Sequence, residues 1–399
     1  MHYLYDRLRA LWRWMQSRNL ARGRTVAVAA GIAALATALT VVLSCYPIWE
    51  HREEPRPAAP TVTARLAEGE AALTVGAAST ASWRQGDTGE VFLTGSGPWQ
   101  VQARAGGVQV GDRSIFGSAV VLSSDSGFKI DDRRYRGKLI VHPTGSGLTA
   151  VNSLTVEEYL RGVVPSELPA SWPADALAAQ AIAARTFVLH KMSRTGGDRW
   201  HLKALELAYQ GMEREHPRAT RAVQQTSGIV LTDGGEPFKA YFHSTCGGHT
   251  APASKVFGDA SIRPLAGVPC DWCRDSSYYS WTARLSTRQL AAKLSSLGLR
   301  TVDTIETEDR GKDGHARSVV VNGRTVNANR FRLAVGAQEL RSTNFAVQKQ
   351  GDTFVFSGHG WGHGVGMCQW GARGQARSGT GWRAILRHYY PDAEIQKAY

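Results

Sequence analysis

The sequence predicts an α+β protein: a β-rich N-terminal part and a mixed core around an alanine-rich helix, preceded by one N-terminal transmembrane helix. Three observations predict it. Residues 25–45, "TVAVAAGIAALATALTVVLSC", carry no charge. Residues 62–150 hold short alternating apolar runs such as "AALTVG", "GEVFLTG", "WQVQARAG" and "KLIVHP", separated by Gly, Asp and Ser, the pattern of strands joined by tight turns. Beyond them, "PADALAAQAIAARTFVL" places apolar residues at helical spacing.

Residues 1–24 form a basic tail with six arginines and one aspartate. The apolar stretch that follows has 21 residues, enough at about 1.5 Å per residue to cross a hydrocarbon core. The arginines before it hold the tail in the cytoplasm. The expectation is therefore a single-pass anchor at 25–46 in the cytoplasmic membrane, with everything after it extracytoplasmic. A cleaved signal would want a shorter apolar core and a small-residue cleavage site, which "LSCYP" lacks; a lipidated Cys45 is the other alternative. Residues 47–61, including "HREEPRPAAP", read as a proline-rich linker. One large domain, 62–395, then divides into the β-rich part (62–150) and a core (151–395). The net charge of +13 favours anionic partners. After the tail there is no compact Lys/Arg cluster with interleaved aromatics, so nucleic acid is not indicated.

Within the core, Thr155 and Glu158 have capping-box spacing, so a short helix should start at Thr155. A turn is expected over Pro165–Pro169. Ser171 can then cap a second helix, with Pro173 in its first turn and Leu177, Ala181, Ala184 and Val188 as one stripe, running to about Met192. A third helix fits Pro217–Thr226. "GIVLTDGGEPFKAYFHS" reads as a hairpin turning at "DGG". Further helices should begin near Ser286 and Asn327, with an Asn-Gly hairpin between them, and "GWRAILRHYYPDA" should be helical.

Three groups carry chemistry. Glu167 is the one carboxylate between Glu158 and Asp175, set among Pro165, Leu168, Pro169 and Trp172. Apolar surroundings raise a carboxyl's proton affinity, which a general acid at neutral pH requires. A solvated or helix-capping glutamate is the plainer alternative. A two-carboxylate glycosidase would need a partner, and neither Asp175, Asp259 nor Asp271 has a comparable setting. The second group is "HSTCGGHT" with "CDWC": Cys246, Cys270 and Cys273 plus one histidine would make a closed four-ligand structural zinc site. His243, at a strand end, is preferred; His249 is the rival. Disulfides, such as Cys246–Cys270 with Cys273–Cys368, are the alternative for an extracytoplasmic chain. The third is "GHGWGHGVGMCQWGARGQA" (358–376), read as an ordered loop lining a groove, with His359, His363 and Gln369 as polar contacts beside Trp172. It lacks the Lys-Ser/Thr of a phosphate loop and the Glu of a zinc-peptidase helix.

In this order, "LTVEEYLRGVVPSELPASWPADALAAQAIAARTFVL", "AYFHSTCGGHT", "ELRSTNF", the glycine segment and "ILRHYYPDA" closely resemble the SpoIID/LytB family over about residues 130–395. The resemblance implies work on bacterial peptidoglycan. It implies a lytic transglycosylase cutting glycan strands, with those stripped of stem peptides as substrate, and an acid at the Glu-x-Pro position, which is Glu167 here. A zinc near the His-x-x-Cys-Gly-Gly segment is also implied, and Cys368, where many relatives in the family carry serine, is left open as a buried thiol, a ligand or a disulfide partner. Also implied is the rival role, a non-catalytic peptidoglycan-binding activator of a cell-wall amidase. Such an acid needs no second carboxylate, because the muramic acid 6-hydroxyl is its own nucleophile.

Overall fold

The computed structural model describes residues 57–195, 200–203, 207–258 and 262–399. The expected tail, anchor and most of the linker lie outside them. Among the described residues, no helix is long and apolar enough to cross a membrane.

The β-rich part is two sheets. One is seven-stranded, in the order Leu202–Lys203, Thr61–Glu70, Gly147–Thr155, Lys138–Thr144, Val120–Ser123, Ala81–Gln85, Val91–Gly95. The other is six-stranded, in the order Arg133–Tyr135, Phe128–Ile130, Ala72–Gly76, Trp99–Arg104, Gly107–Val110, Arg113–Phe116. The period of two in the sequence is realised directly: Val62 and Ala64, Leu139 and Val141, Val120 and Leu122, and Ala81 and Trp83 all turn inward. With Val75, Val101 and Val110 of the second sheet they build one apolar cluster. The first long strand pairs antiparallel with the last, Val62 opposite Leu154. That brings the start of the described chain beside the entrance to the helical core.

Helix α1 (Val156–Glu167) starts as the capping box requires. The Thr155 hydroxyl accepts from the Glu158 N–H at 3.2 Å, and the Glu158 carboxylate accepts from the Thr155 N–H at 3.0 Å. Its end corrects the sequence reading. A turn was expected from Pro165, but the helix continues through it to Glu167. Proline's missing N–H costs one bond there, while the Leu168 N–H donates to the Val164 carbonyl and the Ser166 hydroxyl to the Gly162 carbonyl. Glu167 is thereby the last helical residue rather than part of a turn.

Helix α2 (Ala174–Arg194) follows without a side-chain cap; Ser171 does not serve, and Pro173 holds the N-cap position. Its alanines leave room for neighbours on both sides. Leu177, Ala181, Ala184 and Val188 face the first cluster. Ala179, Ile182 and Ala183 face a second, with Leu231, Val365, Met367, Ala372, Ile385 and Tyr389. Arg185 is buried on the same helix, its guanidinium held on the Glu157 carboxylate by bonds of 2.8 and 2.9 Å.

Helix α3 is Pro217–Gln225. The expected hairpin turns at Gly234–Gly235 but returns only over Glu236–Pro237. The next strand, Phe242–His243, pairs instead in parallel with Met367–Cys368. After a single turn, α4 (Ala253–Val256), residues 280–359 fold around their own apolar cluster, including Trp281, Leu290, Val319, Phe331, Phe345 and Phe356. Its two helices, α5 (Thr287–Leu294) and α6 (Ala328–Val335), start at the caps read from sequence, Ser286 and Asn327. Its hairpin turns at Asn322 and Gly323, both at positive φ. The chain ends with α7 (Gln369–Arg377) and α8 (Trp382–Tyr389). The first of these is a second correction, since the whole glycine segment was read as loop. Gly371 and Gly374 are places of close approach rather than flexibility. A Cβ on Gly371 would stand 1.9 Å from the Tyr389 hydroxyl, and one on Gly374 would stand 2.2 Å from the Trp272 carbonyl.

Candidate active site and metal centre

Glu167 ends α1 partly buried, facing the first turn of α7. The Gln369 amide nitrogen lies 3.5 Å from its Oε2 and 3.4 Å from Gln180 Oε1 on α2. Both contacts are long: the first stabilises the Glu167 anion only weakly, and the second ties the same amide to α2. Burial pushes the Glu167 carboxyl up to about 7, and only the Gln369 amide works in the other direction. A carboxyl of this kind holds its proton through much of the neutral range and can give it to a nearby oxygen.

Trp172 joins this group through Trp370: the two indoles meet edge to face with centroids 5.3 Å apart, and Trp370 follows Gln369 in α7. Three of the residues expected at the site, Glu167, Trp172 and Gln369, are therefore neighbours. His359 is exposed, its Nδ1 3.3 Å from the Ser280 hydroxyl. His363 accepts from the Val365 N–H at 3.0 Å and packs against Tyr241, His243 and Phe257. Burial, then the neighbouring His243, holds it well below the usual imidazole range. No recorded contact joins either histidine to Glu167 among the described residues. Sequence reasoning missed Gln180, Trp370 and Arg373. Gln180 could have been noticed as the one amide in an alanine-lined helix face; it is wholly buried, its oxygen accepting from the Gln369 amide and its nitrogen without a hydrogen-bond partner among the described residues.

The cysteines gather as a single group. The sulfurs of Cys246, Cys270, Cys273 and Cys368 all lie within 4.8 Å of one another, and all four residues are buried. They are free thiols, with Cys246 and Cys273 Sγ 3.5 Å apart, so the arrangement is not that of two bonded pairs. Tetrahedral thiolate ligation at about 2.3 Å puts neighbouring sulfurs about 3.8 Å apart, a separation that lies between the 3.5 Å of Cys246 and Cys273 and the 4.8 Å limit of the cluster. The Cys246 and Gly371 N–H groups each donate to Cys368 Sγ at 3.3 Å, and the Tyr389 hydroxyl stands 3.1 Å from Cys270 Sγ. Such donors hold a ligating sulfur in place. Hydrogen bonding within the group, led by the Cys246 thiol, pulls Cys273 down, while burial pushes Cys368 up. The four residues can hold one tetrahedral metal ion.

The fourth member is thus Cys368, and neither His243 nor His249 belongs to the group. The parallel pairing of Phe242–His243 with Met367–Cys368 brings the Cys368 sulfur to the Cys246 N–H. His243 turns its Nδ1 to the Val365 carbonyl at 3.0 Å, and burial lowers it to about 4. His249 Nδ1 lies 2.7 Å from the Thr250 carbonyl.

Comparison with known proteins finds matches over both the helical core and the part that follows it. A family model described as Stage II sporulation protein matches residues 144–232, which carry α1, α2 and α3. A second, described as a domain of unknown function (DUF8618), matches 271–366, the part with its own apolar cluster. An uncharacterized protein of Brachyspira hyodysenteriae is 30% identical over 295 residues, covering 72% of this chain and 79% of its own length. Stage II sporulation protein D of Bacillus subtilis is 32% identical over 270 residues, 62% of this chain and 76% of that protein. The amidase enhancer of Bacillus subtilis is 23% identical over 363 residues, 77% of this chain but 51% of the enhancer. At these identities and coverages, the chain belongs to the SpoIID/LytB family.

Proposed function

We propose that the protein acts on peptidoglycan glycan strands as a lytic transglycosylase, cutting between muramic acid and glucosamine units with Glu167 as the acid. The observation that carries this reading is the partly buried Glu167 carboxyl, raised to about 7, with no second carboxylate against it among the described residues. Glu167 gives its proton to the glycosidic oxygen as the bond to the anomeric carbon breaks. The 6-hydroxyl oxygen of the same muramic acid then bonds that carbon, and its proton passes to the Glu167 carboxylate. The products are a free 4-hydroxyl and a 1,6-anhydro end, and the acid is restored. Trp172 and Gln369 are the proposed sugar contacts beside the acid, with His359 and His363 further along the strand.

A second reading is favoured by the comparisons at least as strongly. Among the relatives above, the one whose name states an action is an amidase enhancer. On that reading the same residues hold glycan without cutting it, and the protein activates a cell-wall amidase. The four-cysteine cluster is proposed to bind one zinc ion with a structural role. Residues 1–24, 25–46 and 47–61 are proposed as cytoplasmic tail, membrane anchor and linker, holding 62–395 outside the cytoplasmic membrane.

Mass spectrometry of peptide-free glycan after incubation with wild type and Glu167→Gln separates the readings. Cutting predicts anhydro-muramyl ends that fall by about 10²–10⁴-fold in the variant. Binding by both proteins without anhydro ends from either would replace cutting with activation.

A further inference from the structure

The Arg373 guanidinium lies over both indoles of the candidate site, 4.6 Å from the Trp370 ring and 5.5 Å from the Trp172 ring. Two cation–π contacts fix its position and leave the N–H donors at its rim free. Among the described residues no carboxylate pairs with it and no hydrogen bond to it is recorded, unlike Arg185, Arg136 and Arg317, each of which holds an acid. Arg373 is four residues after Gln369 on α7, one turn further along the same face. The next arginine on that face, Arg377, pairs with Asp275 at 3.5 Å. Arg373 is therefore the unpaired cation of the row that begins at Gln369 and Glu167. It does not act on Glu167 itself, whose proton affinity is set by burial and Gln369 without a cation.

We propose that Arg373 is a specificity-determining residue that binds a carboxylate on the sugar strand, so that this site selects an acidic glycan. The assignment rests on the glycan reading above. A guanidinium offers a planar fork that fits a carboxylate with two parallel bonds. Muramic acid bears such a carboxylate on its lactyl group wherever no peptide is joined to it. The indoles make the fork rigid before the strand arrives, so little freedom is lost on binding.

The test uses the full chain in detergent, in the Glu167→Gln background so that strands stay intact. The probes are peptide-free muramic-acid-containing strands and the same strands with the lactyl carboxylates converted to neutral amides. Calorimetry should show the acidic strands bound about 10-fold more tightly than the amidated ones. Arg373→Met keeps an apolar stem on the indoles and removes the charge. It should abolish that preference while leaving affinity for amidated strands unchanged. Arg373→Lys, with charge but no fork, should fall between the two, and circular dichroism checks that each variant folds. A preference that survives Arg373→Met, or equal binding of both strands by the background protein, overturns the assignment and leaves the glycan reading standing. No binding of either strand ends both.

Discussion

Gln369 Nε2 stands 3.5 Å from Glu167 Oε2, although 202 residues of chain separate them. An amide donor at a carboxylate favours the charged form, and here it is the sole group working against burial. Replacing Gln369 with leucine should therefore raise the proton affinity of Glu167 further above 7. Carbon-13 titration of labelled glutamate carboxyls would show the midpoint moving to higher pH. A midpoint that moves down would show that the amide does not face the carboxylate in solution.

The same acid makes a stability prediction that is independent of any reaction. Glu167 goes from an ordinary 4.5 to about 7 on folding. Between those values the folded state binds more protons than the unfolded one, so the group's contribution is full below 4.5 and is lost as pH rises through 7. Glu167→Gln, neutral throughout, should match wild type in thermal stability at pH 4. At pH 8 it should exceed it by about 1–3 kcal/mol, allowing for the partial solvent contact of the side chain. Equal melting temperatures at both pH values would count against a desolvated acid.

Metal content distinguishes the cysteine cluster from the histidine beside it. Elemental analysis of anaerobically purified protein should find about one zinc per chain. Cys368→Ser should lower that content sharply and destabilise the fold, whereas His243→Gln should leave the metal in place. The reverse pattern would return His243 to the ligand set.

Arg185 is buried on α2 and bound in two-pronged fashion to Glu157, which also accepts from the Tyr399 hydroxyl at 2.6 Å and the Gly228 N–H at 3.2 Å. Burial raises Glu157, but its bond to Arg185 and the guanidinium charge more than offset that, leaving it below the usual carboxylate value. Arg185→Met should cost about 3 kcal/mol by leaving a largely buried carboxylate without its cation. In wild type this pair's contribution should fade as pH drops into the acid range, which denaturant titrations at pH 7 and pH 3 would measure.

Elements fixed by neighbouring residues were legible in the sequence. The Thr155–Glu158 box, the Ser286 and Asn327 caps and the Asn322–Gly323 turn each satisfy their backbone within a few residues. Elements fixed by docking were not. Pro165 lies inside a helix because the turn around it is completed by Val164 and Gly162 carbonyls. α7 was hidden because Gly371 and Gly374 are required by Tyr389 and Trp272, which come from other elements. Cys368 reaches the other thiols only through a parallel pairing of strands more than a hundred residues apart. Glu167, Trp172 and Gln369 could be singled out individually by their settings. The stacking of Trp370 and Arg373 upon them depends on how α7 lies against α2.

The two packing clusters that share α2 meet at the acid. Glu167 and Trp172 belong to the side built on the sheets, Gln369 to the side built around the cysteines, and Gln180 stands on the shared helix between them. The strength of the acid is therefore a measure of spacing. A substitution deep in either cluster that moved one wall by a fraction of an ångström would alter the water around Glu167 and its distance from Gln369, and so retune the proton without touching the site. A change in the cysteine cluster would have the same reach, because Cys368 is the residue immediately before Gln369 and caps the helix that carries it.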